Sequence, residues 1–265
     1  MSRIHDAFEK AAARERAALV IYLCAGDPTL ELTADLVLAA TEAGADVVEL
    51  GVPFSDPTAD GPTIQRASQR ALAAGATLAG VLEVVRRVRK KSQVPIVLFG
   101  YVNPILSYGE EQLARDAKEA GVDGLLVVDL PPEECASLRD AALARGLDWV
   151  PLVAPTSTQV RVDAAAALAT SFLYCVSMTG VTGSDAPELE GAAEQAARVG
   201  ERTGKPVALG FGIRSAEDVR VAARRCDGVV VGSAVVRVVE AASSADEACR
   251  ALAEKVRELA TGCAR

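Results

Sequence analysis

The chain carries a single histidine, His5, among 265 residues. That excludes a metal held by several imidazoles and a Ser-His-Asp triad in the body of the protein, because each needs histidines that are not there. Acid–base chemistry must fall to carboxylates, tyrosines, lysines or cysteines. No apolar run is longer than about seven residues, against the ~20 a membrane span needs, so a soluble protein is expected. Cationic excess is also missing. With 28 Lys+Arg against 36 Asp+Glu and a formal charge of -8, the chain offers no basic field for nucleic acid or an anionic membrane surface. The six cysteines (Cys24, Cys135, Cys175, Cys226, Cys249, Cys263) contain no CxxC pair, and Cys24 and Cys175 sit in strand-like runs where a thiol behaves as a small apolar group. Neither a disulfide framework nor a metal site is expected. Residues 1–10 mix charges and apolar residues at helical spacing without an apolar h-region, which reads as an extra N-terminal helix and a cytoplasmic protein.

What is present is a repeated alternation. Short apolar, β-rich runs occupy residues 19–25, 46–52, 95–101, 124–130, 149–155, 171–177, 206–212 and 228–234. Continuous apolar strands of this kind belong to a parallel sheet covered on both faces, and most intervening stretches carry helical periodicity. Residues 77–90 are one example, with Leu78, Val81, Leu82, Val85 and Val88 on one face. Eight strand–helix units predict an α/β fold, a single eight-stranded parallel β/α (TIM) barrel over residues 1–265. A doubly wound sheet shares the local pattern, but no GxGxxG follows the first strand. Strand starts are 22–29 residues apart in most units, whereas residues 46 to 95 span 49 and residues 171 to 206 span 35. The long loops after strands 2 and 6 therefore hold extra chain at the barrel mouth where active sites are built.

Candidate chemistry lies in those places. Glu49 stands near the C-terminal end of the second strand, where a carboxylate is either an ion-paired structural acid or an acid–base group with a pKa raised by desolvation. Asp60 follows in the long loop, before Gly61-Pro62, where a turn or helix-cap role competes with a catalytic one. Asp56 has the same ambiguity. Gly180-Val181-Thr182-Gly183, Gly210-Phe211-Gly212 and Gly232-Ser233 are glycine-rich turns leading towards helices, and the loops after strands 7 and 8 are the common phosphate site of such barrels. Tyr22, Tyr101, Tyr174 and Phe211 make up much of an aromatic inventory of only 4%. Core packing accounts for any one of them. Several on one mouth would suit a planar apolar ligand.

The run Glu49-Leu50-Gly51-Val52-Pro53-Phe54-Ser55-Asp56-Pro57, followed by Ala59-Asp60-Gly61-Pro62-Thr63-Ile64-Gln65, resembles the signature of tryptophan synthase α subunits. Ala25-Gly26-Asp27-Pro28, Asp129-Leu130-Pro131, Gly180-Val181-Thr182-Gly183, Gly210-Phe211-Gly212-Ile213 and Val231-Gly232-Ser233-Ala234 extend the likeness over nearly the whole chain. The resemblance implies retro-aldol cleavage of indole-3-glycerol phosphate to indole and glyceraldehyde 3-phosphate, with no cofactor in this chain and pyridoxal phosphate in a β-subunit partner within an α2β2 tetramer. By the same resemblance Glu49 protonates the indole ring carbon and takes the side-chain hydroxyl proton, and Asp60 holds the indole N–H. Tyr22, Tyr174 and Phe211 line the indole pocket, and Thr182, in a closing loop, orients Asp60. Gly183, Gly212, Gly232 and Ser233 hold the phosphate, and Asp56 meets the partner. Cys24 and Phe99-Gly100 depart from common family usage, which changes the shape of the pocket wall. Two other readings stay open on sequence grounds: a stand-alone lyase releasing free indole, and a non-catalytic phosphate-binding barrel.

Overall fold

In the computed structural model, which describes residues 2–176, 186–210 and 212–265, every pairing in the sheet is parallel. The strands are β1 (Ala18–Cys24), β2 (Val47–Gly51), β3 (Ile96–Gly100), β4 (Gly124–Val127), β5 (Asp148–Trp149), β6 (Leu152–Val153), β7 (Leu173–Val176), β8 (Val207–Gly210) and β9 (Gly228–Val231). Their spatial order is β5-β4-β3-β2-β1-β9-β8-β7-β6. The fifth expected strand, 149–155, is thus two pieces rather than one. Proline supplies no ladder N–H, so regular pairing lapses at Pro151. The backbone nevertheless stays bonded on both sides, with Val150 N–H donating to Leu125 O and Tyr174 N–H to Pro151 O, each at 3.0 Å. β5 and β6 are therefore one stave that passes from β4 to β7 and closes an eight-stave barrel.

Around it run α1 (Arg3–Ala12), α2 (Leu30–Glu42), α3 (Pro62–Ala73), α4 (Leu78–Arg89), α5 (Val102–Tyr108), α6 (Glu110–Ala120), α7 (Ala136–Ala144), α8 (Gln159–Leu168), α9 (Ala186–Thr203), α10 (Ala216–Ala223), α11 (Ser233–Ala241) and α12 (Ala245–Ala260). Side chains alternate across each strand. Leu19, Ile21, Leu50, Ile96, Leu98 and Val229 pack against the helices, whereas Val20, Tyr22, Val47, Val97, Phe99 and Tyr174 belong to a second cluster inside the barrel. The N-terminal helix closes the bottom of that interior: Ile4, Phe8 and Ala11 of α1 join the inner cluster, and Phe8 stacks on Phe172 with ring centroids 4.9 Å apart. The extra chain after β2 is the loop 52–61 plus α3, ahead of the expected α4. The extra chain before α9 includes residues 177–185, so Thr182 and Gly183, like Phe211, lie outside the described residues.

Strand starts are pinned by a recurring aspartate. Asp46, just ahead of β2, accepts Leu19 N–H at 2.8 Å and an N–H from each of Arg16 Nη1 and Nη2. Asp123, ahead of β4, accepts Ile96 N–H at 2.7 Å together with Arg3 and Arg89. Asp227, ahead of β9, accepts Val207 N–H at 3.0 Å. Each carboxylate thus satisfies the first or second amide of a neighbouring stave, which fixes the register at the bottom and so the height of every residue at the mouth.

Candidate active site

The register sets the site. Tyr22 of β1 pairs with Glu49 of β2, and Gly51 pairs with Phe99 of β3. Glu49 is fully buried, and neither carboxyl oxygen has a hydrogen-bond partner among the described residues. With burial as the sole cause, its pKa is pushed up to about 8. The structural ion pair open to it on sequence grounds is absent among the described residues. A buried carboxyl without a partner costs folding free energy, and such costs persist where a ligand is the partner.

Asp60 is placed by its loop rather than by a strand. Its N–H donates to Pro57 O at 3.0 Å, its carbonyl accepts Gln65 Nε2 at 2.8 Å, and Gly61 and Pro62 then start α3 as N-cap and first helical residue. No side-chain bond caps this helix. The Asp60 carboxylate turns to Tyr101 instead, whose hydroxyl donates to Oδ2 at 2.9 Å and itself accepts Ala59 N–H at 3.2 Å. Burial raises Asp60 to about 6, and the Tyr101 hydroxyl opposes that rise. Tyr101 was visible in the sequence only as one of several aromatics; its position at the end of β3, opposite the long loop, is the signal that could have singled it out.

Aromatic rings form a wall beside both carboxylates. Phe99 lies edge-on to Tyr22 at 5.3 Å and tilted to Tyr174 at 6.4 Å. Both tyrosines are buried, and burial, followed by nearby negative charge, raises their phenols well above the usual value; Glu49 and Asp60 both contribute at Tyr174. Their hydroxyl ends lie over glycines. A Cβ at Gly51 would run into the Tyr22 ring, and one at Gly210 into the Tyr174 ring. Glycine at these two mouth positions is what lets the rings reach inward.

Gly232 is the N-cap of α11 and Ser233 its first residue, and a Cβ on Gly232 would lie 3.5 Å from Tyr22 Cβ. The N-terminus of α11, with its free amides, therefore adjoins the aromatic wall. Gly212 has φ +81°, in the left-handed region that favours glycine, after β8. Asp56 is exposed and accepts the Ser55 hydroxyl. Of the expected site, Glu49, Asp60, Tyr22 and Tyr174 come together with Phe99 and Tyr101 added, Gly232-Ser233 adjoin them, and Asp56 stands outside. Among the described residues no three His, Cys, Asp or Glu side chains gather to hold a metal ion, and no helix is long and apolar enough to cross a membrane.

Comparison with known proteins agrees with this geometry. The family described as tryptophan synthase alpha chain matches residues 8–264. Among relatives, the tryptophan synthase alpha chain of Desulfosudis oleivorans is 48% identical over 258 residues, 97% of each chain. That of Geobacter sulfurreducens is 50% identical over 246 residues, 93% of each. Among solved structures, the tryptophan synthase subunit alpha of Legionella pneumophila superposes with TM-score 0.91 at 38% identity, covering 99% of this chain and 98% of its own. A Mycobacterium tuberculosis tryptophan synthase chain gives 0.89 at 35%, covering 100% of both. A parallel eight-stave barrel, a mouth built around one fully buried and one half-buried carboxylate and full-length identity near one half converge: the chain belongs to the tryptophan synthase alpha chain family, which cleaves indole-3-glycerol phosphate and passes indole to a β subunit.

Proposed function

We propose that Glu49 and Asp60 divide the acid–base work of the cleavage inside one barrel domain spanning residues 1–265. The observation that carries this reading is Glu49 itself: fully buried, unpartnered among the described residues and raised to about 8, it is a neutral acid at pH 7. Neutral Glu49 donates its proton to the indole ring carbon that bears the side chain. The carboxylate left behind takes the proton of the adjacent side-chain hydroxyl, the carbon–carbon bond breaks with its electron pair returning to the ring, and Glu49 ends as it began. Asp60, raised only to about 6, stays ionised at that pH; it accepts the indole N–H and offsets the positive charge of the protonated ring. Tyr22, Tyr174 and Phe211 line the indole pocket. The backbone amides at Gly232 and Ser233, with Gly183 and Gly212, take the phosphate, and Thr182 belongs to the loop that closes over the substrate.

The family works with a β subunit, which holds the pyridoxal phosphate; this chain carries no cofactor of its own. Our reading extends to an α2β2 assembly with Asp56 at the contact, and to a cytoplasmic site of action, which six unpaired thiols support because a reducing compartment keeps them so. The test is indole release from indole-3-glycerol phosphate by the purified chain, alone and with a β subunit, for the wild type and Glu49→Gln. We expect weak release that rises strongly with the partner, and a loss of at least about 10²-fold in the variant with ligand binding retained. Full activity of Glu49→Gln would remove Glu49 from the chemistry.

A further inference from the structure

Behind the mouth, one arginine joins three elements that the reaction needs in register. Arg70 of α3 donates Nε to Asp27 Oδ1 and Nη2 to Asp27 Oδ2, both at 2.8 Å, and Nη1 to Glu240 Oε1 at 2.7 Å. Arg66, one turn earlier, reaches Glu240 with its Nε at 3.3 Å. Asp27 is only 4% exposed and lies in the turn after β1, the strand that carries Tyr22. Glu240 lies in the last turn of α11, whose first turn contains Gly232-Ser233, and α3 begins two residues after Asp60. An exposed ion pair is worth little, but this one is a planar fork on a buried carboxylate with a second acceptor on a different helix, a geometry that restricts orientation as well as distance. None of these four charged groups, Asp27, Arg66, Arg70 and Glu240, belongs to the proposed pocket.

We propose that Arg70 is a positioning residue for the cleavage: through Asp27 and Glu240 it holds the helix entered from Asp60 against the helix whose first turn takes the phosphate. A single substrate then meets its indole end and its phosphate end at a fixed separation. The proposal rests on the roles given above to Asp60 and to the Gly232-Ser233 turn. Lysine keeps the charge of Arg70 but cannot make the fork, and a displacement of about 1 Å at a reacting group can cost ~10²-fold in rate.

The experiment is steady-state indole release, with β subunit in saturating excess, for Arg70→Lys and Glu240→Gln, each made in the wild-type and the Asp60→Asn backgrounds. In the wild-type background Arg70→Lys is expected to lower kcat about tenfold with less than about a twofold change in KM. Glu240→Gln, which keeps the buried Asp27 pair and so serves if Arg70→Lys does not fold, should lower kcat about threefold. In the Asp60→Asn background both effects should shrink to under about twofold, because the group being positioned is gone. Equal fold losses in both backgrounds would overturn the proposal and leave Arg70 a stabiliser of the fold; so would an unchanged kcat in both variants. Failure of the underlying acid–base reading appears separately, as full turnover in the Asp60→Asn single variant, and the positioning role would fall with it.

Discussion

Two carboxylates share the barrel mouth, and their surroundings set them apart. Glu49 sees only burial and rises to about 8; Asp60 is partly compensated by the Tyr101 hydroxyl and rises to about 6. Between those values Glu49 is protonated and Asp60 ionised, which is the combination an acid and a cation-stabilising carboxylate require. The pH profile of kcat/KM should therefore be bell-shaped. Its acid limb, near pH 6, reports protonation of Asp60, and its alkaline limb, near pH 8, reports ionisation of Glu49, as apparent values of the pair. A flat profile from pH 5 to 9 would contradict the assignment. Tyr101→Phe tests one side alone. The hydroxyl stabilises ionised Asp60 and so holds its pKa down; removing it should move the acid limb to higher pH and lower turnover at pH 6 more than at pH 7.5. An acid limb that stays in place would show that Tyr101 does not govern Asp60.

At the scale of elements, the aspartates ahead of β2, β4 and β9 explain how a mouth can be set from the opposite end of the barrel. Asp123 is 7% exposed and satisfies Arg3, Arg89 and the first amide of β3 at once. Asp123→Asn keeps an acceptor for Ile96 N–H but turns an amide group towards two guanidinium ions, leaving the partly buried charge of Arg89, and the more exposed one of Arg3, uncompensated. A loss of about 3 kcal/mol in urea unfolding is expected, with the slope of the transition unchanged. A change under about 0.5 kcal/mol would mean the cluster is as weak as a surface pair. This scale also shows what could be read in advance. The strands were legible because burial on both faces leaves continuous apolar runs, and α4 was legible because Leu78, Val81, Leu82, Val85 and Val88 share its buried face. The break at Pro151 was not, because residues 149–155 remain apolar across it. Glu49 stood out as a charge in an apolar strand. Tyr101 and Arg70 did not: what distinguishes them is a partner 41 or 43 residues away, and sequence spacing carries no record of that.

For the whole molecule, the loop between β2 and α3 is the piece that faces both ways. Asp60, at its inner end, is bonded to Tyr101 in the mouth, while Asp56, four residues earlier, is exposed. The two are connected by a tight turn, with Thr58 N–H donating to Asp56 O at 2.9 Å and Asp60 N–H to Pro57 O at 3.0 Å. A partner that presses on Asp56 can therefore shift Asp60 without crossing the barrel, which is the kind of contiguous, stiff path that couples a docking event to a site. If Asp56 meets the β subunit as proposed, Asp56→Ala should weaken activation by the partner while changing the isolated chain little. Titration of the variant with β subunit, followed by indole release, should reach half-maximal activation at a partner concentration about tenfold higher, a coupling within the usual 1–3 kcal/mol. A lower plateau as well would mean that the contact also sets the position of Asp60 in the assembled enzyme. An activation curve superimposable on that of the wild type would take Asp56 out of the interface and leave its exposed carboxylate with no function beyond the turn it occupies.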